Sequence, residues 1–104
     1  MDFEIEEKEL IKLYTTGKSN KLRLPPGIAE KFLERIERIK ASVTLDDLRI
    51  PPSMNFEKMQ GCKNTFSIRL NQQYRLIFRI EFADEQMKTG KVIVTDIWDH
   101  GKKY

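Results

Sequence analysis

The chain has 104 residues, 39% hydrophobic and 34% charged, with a formal net charge of +3. That is one domain with a single core, 1–104, without an apolar run long enough for a membrane span and too apolar for a disordered tail. A lone cysteine, Cys62, excludes an internal disulfide, and the acidic opening over residues 1–9 lacks a signal-peptide pattern, so the expected compartment is the cytoplasm.

In chain order, residues 2–5 fit a short strand, and Glu6 to Tyr14 a short helix with Leu10, Ile11 and Tyr14 on one side, ending near Gly17. Thr15 to Asn20 is a polar loop. Pro25-Pro26 opens the strongest helix, near residues 26–42, because proline suits a first turn. Its apolar stripe is Ile28, Phe32, Ile36, Ile39 and Val43, and its charged face is a solvated one. Thr44 and Asp47 resemble the cap of a second short helix. Pro51-Pro52 closes the helical half.

From there the period changes from 3.6 to 2, predicting strands over 64–71, 73–82 and 91–98. Asn71-Gln72-Gln73 is a tight hairpin loop, and 83–90 a longer polar one. Val92 to Trp98 is nearly continuously apolar, as a central strand would be. The expected class is α+β: N-terminal helices packed on one face of a small antiparallel sheet.

The hairpin register carries chemistry. If Leu70 faces Tyr74, then Ile68 faces Leu76 and Phe66 faces Phe78, all on the helix side. Arg69 then stands directly across from Arg75 on the far face, with Arg79 further along. Like charges across a ladder are destabilising unless an anion sits between them, and a guanidinium matches phosphate geometry. The plainer alternative pairs these arginines with Glu81 or Asp99, or splays them into solvent. Residues 1–52 hold ten Lys/Arg and ten Asp/Glu, residues 53–104 nine and six, so the basic excess lies in this half. That suggests an anionic partner, nucleic acid above all, although charge alone favours the plainer reading of a basic, soluble surface.

His100, the single histidine, follows Trp98-Asp99 and precedes Gly101-Lys102-Lys103-Tyr104. An imidazole works as acid or base near neutral pH, and Lys102, Lys103 and Tyr104 suit contact with RNA backbone and bases, as do Lys63 and Arg79. One Cys and one His do not make a standard zinc site, and no phosphate loop, dinucleotide fingerprint or serine elbow is present. No cofactor and no metal are expected.

Three segments carry a family resemblance. Leu48-Arg49-Ile50-Pro51-Pro52 and Phe56-Glu57-Lys58-Met59-Gln60-Gly61 precede Phe66-Ser67-Ile68-Arg69-Leu70-Asn71-Gln72-Gln73-Tyr74-Arg75-Leu76-Ile77-Phe78. Together they resemble the HigB, or plasmid maintenance killer, branch of RelE/ParE toxins, from about the long helix to His100. The resemblance implies a type II toxin that cuts mRNA in the ribosomal A site. Its partners would be the ribosome, mRNA and a cognate antitoxin of helix-turn-helix type, with operator DNA reached only through the antitoxin. It implies that Arg75 contacts phosphate, that Arg69 is a basic substrate position, and that His100 matches a terminal histidine, with Asp99 beside it. Glu57 stands where the family carries an upstream histidine, and Trp98 where it carries an aspartate, so Glu57 is the candidate base. Two other readings fit the same residues: a ParE-like toxin that poisons gyrase, and a non-catalytic RNA- or ribosome-binding module.

Overall fold

The computed structural model describes residues 1–19, 21–99 and 102–103, the last two by their backbone. Among the described residues, six strands and two α-helices form the fold: β1 (Asp2–Ile5), α1 (Lys8–Thr16), α2 (Ile28–Ala41), β2 (Glu57–Lys58), β3 (Thr65–Arg69), β4 (Tyr74–Phe82), β5 (Gly90–Asp99) and β6 (Lys102–Lys103). Two 3₁₀ turns, Leu45–Arg49 and Pro52–Met54, join α2 to β2.

Local chemistry sets the helix ends. The Glu7 carboxylate accepts from the Leu10 N–H at the start of α1, and Gly17 closes it in the left-handed conformation, φ 79°, donating to the Leu13 carbonyl. The Thr44–Asp47 cap exists, but it opens a 3₁₀ turn: Asp47 Oδ2 accepts from the Val43 and Thr44 N–H groups. Residues 45–49 are thus a tight connector, too short for an α-helix.

The sheet runs β1-β5-β4-β3-β2, with β6 on β5. The α+β expectation holds, with one difference: β1 joins β5 in parallel, Phe3 opposite Val92. Short-range periodicity does not reveal that pairing, because a four-residue strand can add to either edge in either direction. Since β4 covers one side of β5 from end to end, β1 and β6 share its other side in succession.

One core fills the space between helices and sheet. Leu10 and Leu13 of α1 and Ile28, Phe32, Ile36 and Ile39 of α2 meet Phe66, Ile68, Leu76, Phe78, Ile80, Val92, Val94 and Ile97. On β5 the core parity slips from even to odd after Val94. A bulge explains it: Ile77 faces Asp96 and Phe78 faces Val94, so Thr95 is the extra residue. Val43, expected on the apolar stripe, lies beyond the end of α2 and is 71% exposed.

Candidate functional site

The β3–β4 hairpin turns on Asn71. Its side-chain oxygen accepts from the Gln73 N–H at 2.8 Å and the Tyr74 N–H at 2.7 Å, and the Leu70 N–H donates to the Tyr74 carbonyl at 2.9 Å. This closure fixes the register. Phe66 faces Phe78, Ile68 faces Leu76, and Arg69 faces Arg75, as expected from the alternation.

Alternation puts Arg69, Arg75, Ser67, Glu57 and Trp98 on the face away from the helices. That face is not wholly polar. Ile77 and Ile93 point there and are 3% exposed, and Ser67 is fully buried. The polar groups therefore stand on a partly dry floor.

Arg75 is held from several sides. Its Nε donates to Ser67 Oγ at 2.9 Å, and its Nη2 donates to the Asn55 carbonyl at 2.6 Å and more weakly to the Ser67 carbonyl at 3.4 Å. Glu57 Oε2 lies 3.6 Å from Nη2. Its ion-pair partner is thus Glu57, in place of the Glu81 or Asp99 considered from sequence. Burial pushes the guanidinium below its ordinary value, Glu57 opposes that shift, and the charge of Arg69 adds to it. Arg69 Nε reaches the Asn71 carbonyl at 3.3 Å, and its own carbonyl accepts from Arg35 of α2.

The other expected residues divide by position. Asp99 faces Tyr74, so it lies on the side of the sheet opposite to Arg75, and it accepts from Gln73 Nε2 at 2.9 Å. Lys63 and Arg79 lie at the far end of the hairpin, where Thr65 faces Arg79. Arg79 is occupied by Glu6 at 2.7 Å, a hydrogen bond that raises its pKa. Lys103 is the register partner of Trp98, which faces Arg75, so the row Arg69–Arg75–Trp98–Lys103 crosses four strands; Lys102 pairs with Asp99. His100 and Tyr104 lie outside the described residues. Glu57, Arg69 and Arg75 are therefore brought together, and Asp99, Lys63 and Arg79 are not.

Sequence reasoning missed three neighbours. Ser67 and Asn55 hold Arg75, and Trp98 buries an indole N–H with no partner among the described residues. The alternation of Phe66–Leu70, which puts Ser67 on the same face as Arg69 and Arg75, was the available signal for Ser67. Asn55 acts through a backbone carbonyl in the left-handed region, φ 50°, and its side-chain identity does not reveal that contact.

Comparison with known proteins agrees with this architecture. A family described as RelE-like toxin of type II toxin-antitoxin system HigB matches residues 3–91. The protein named Toxin HigB-1 of Vibrio cholerae serotype O1 is 39% identical over 80 residues, 76% of this chain and 83% of that one. A Haemophilus influenzae protein of uncharacterized function is 33% identical over 73 residues, 69% of this chain and 71% of its own. The family match includes Glu57, Arg69 and Arg75 and stops before Trp98 and His100.

Proposed function

The chain belongs to the HigB-like family of RelE-like type II toxins, and on that premise we propose that it is a ribosome-dependent endoribonuclease acting on mRNA in the cytoplasm. Membership of a type II system implies an antitoxin partner. The observation that carries the enzymatic reading is the cross-strand pair of Arg69 and Arg75 with Glu57 beside it.

The chemistry follows from the charges. A phosphodiester between the two arginines relieves their repulsion and accepts charge-assisted hydrogen bonds. The Glu57 carboxylate, at the rim with its side chain 58% exposed, takes the proton of the 2′-OH. The 2′ oxygen attacks phosphorus, the guanidinium of Arg75 stabilises the charge that develops, and the bond to the 5′ oxygen breaks. His100 supplies the proton to that leaving oxygen. Lys102, Lys103 and Tyr104 supply charge and an aromatic ring for the RNA, and the 2′-OH requirement makes RNA, not DNA, the substrate.

Programmed ribosomes incubated with the purified protein test this reading. Cleavage of the mRNA, absent with a 2′-deoxy nucleotide at the cut site, is the expected result. Growth arrest without RNA cleavage, accompanied by gyrase-linked DNA breaks, replaces the reading with the gyrase-poisoning one.

A further inference from the structure

We propose that Ser67 is a positioning residue for Arg75, and that it makes Arg75 meet phosphate end-on, through Nη1. This inference rests on the nuclease reading for its role in cleavage, but the geometry behind it is independent of that reading.

An arginine has five N–H donors in a rigid, planar fork. A phosphate can engage two of them side-on, through Nε and Nη2, or approach the end of the fork, where Nη1 can donate by itself. Here the side-on edge is already occupied. Nε is spent on the Ser67 hydroxyl, and Nη2 on the Asn55 carbonyl and, weakly, the Ser67 carbonyl. Nη1 has no hydrogen-bond partner among the described residues. Ser67 itself is fully buried on β3, between Glu57 of β2 and Ile77 of β4. A buried hydroxyl accepting from a guanidinium edge is a fixed point, because the hydroxyl has no bulk water to turn to. Two contacts, to Ser67 and Asn55, then define the plane of the fork, with Glu57 Oε2 3.6 Å from Nη2.

Ser67 does not touch the reacting atoms. Its effect is on orientation, and a misplacement on the order of 1 Å can cost about 10²-fold in rate. Ser67→Ala is therefore expected to lower single-turnover cleavage by about 10- to 100-fold. It is expected to add nothing in an Arg75→Ala background, because the group it orients is gone. A spectroscopic readout separates orientation from cleavage. In the parent, the Arg75 Nε–H is expected to exchange slowly with water in ¹H–¹⁵N spectra, and in Ser67→Ala that signal is expected to be lost while the backbone amides of β3 and β4 keep their positions. Ser67→Cys, which keeps the volume and replaces the hydroxyl by a much weaker acceptor, is expected to behave in the same way and serves if the alanine variant does not fold.

Retention of a slowly exchanging Arg75 Nε–H without the Ser67 hydroxyl overturns the proposal. So does an equal loss of cleavage on removing Ser67 whether or not Arg75 is present. A parent that never cleaves overturns the nuclease reading instead, and the exchange measurement still decides whether Ser67 holds Arg75.

Discussion

Arg69 and Arg75 are direct partners across the β3–β4 ladder, and only Arg75 has a carboxylate within ion-pair distance among the described residues. The sheet thus holds two like charges in register where an opposite pair would be more stable.

Arg75→Ala is expected to reduce mRNA cleavage by about two to three orders of magnitude, the loss of roughly 2–4 kcal/mol of transition-state stabilisation. Arg75→Lys is expected to do little better, since one ammonium cannot hold Ser67 and Asn55 and also reach a phosphate. His100→Ala follows with a loss on the order of 10²–10⁴-fold, and Glu57→Gln with a comparable one. Ribosome-programmed cleavage measures all four, with circular dichroism verifying the fold. Parent-like cleavage by both Arg75→Ala and His100→Ala places the chemistry elsewhere.

Arg69→Gln is expected to stabilise the free protein by about 0.2–1 kcal/mol, by removing the cross-strand repulsion. The same change is expected to weaken RNA binding and flatten its salt dependence. Thermal melts with and without a short RNA give both numbers. A variant less stable than the parent shows that the pair is not repulsive.

Trp98 is the only tryptophan and faces Arg75 across the β4–β5 ladder. Its fluorescence is therefore expected to report RNA binding directly, with a change that saturates and that Arg75→Ala abolishes. A signal insensitive to RNA at concentrations that support cleavage argues against binding on this row.

Stability is expected to fall in acid. The Val43 and Thr44 N–H groups hold the Asp47 carboxyl below its ordinary value, those of Thr89 and Lys88 do the same for Asp84, and Lys91 does so for Glu4. A lowered folded-state pKa contributes stability above the unfolded value, near ~4, and that contribution is lost as pH falls through the folded value. Melting temperature is expected to be flat with respect to these groups above about pH 5 and to drop below about pH 4, with a shallower drop in Asp47→Asn. An acid limb unchanged in Asp47→Asn removes that cap from the account.

Gly90→Ala is expected to damage the β4–β5 hairpin. A Cβ there would meet the Glu81 carbonyl and lie 2.8 Å from Phe82 Cα, both backbone atoms that cannot swing aside. A loss of several kcal/mol in urea unfolding is on the order seen for severe overpacking or backbone strain. A neutral substitution shows that the backbone relaxes there.

What the sequence made legible was what alternation and turn chemistry encode. The Phe66/Phe78 and Arg69/Arg75 register followed from one loop length, and the long helix from one proline pair and one stripe. Three features were hidden for physical reasons. The parallel seat of β1 is a long-range choice that a four-residue strand does not announce. The Thr95 bulge changes parity inside a run that is apolar on both faces. The Asn55 contact is made by a carbonyl that every residue type carries. The candidate base, Glu57, was visible only by resemblance; its place beside Arg75 depends on β2 pairing with Ser67.

The parallel pairing of β1 with β5 has a consequence for the timing of folding. Asp2–Ile5 must wait for residues 91–94 before it finds its neighbour, whereas β4 pairs first with β3 and gains its second neighbour only with residues 90–99. Closing so long a loop is entropically slow, and no earlier segment can stand in for β5 at the centre of the sheet. While the chain is being made, its N-terminal helices can form only a half-built layer whose apolar side has no sheet to cover it. The Arg69/Arg75 hairpin is local, but the row that continues through Trp98 to Lys103 is not assembled until nearly the whole chain has been made.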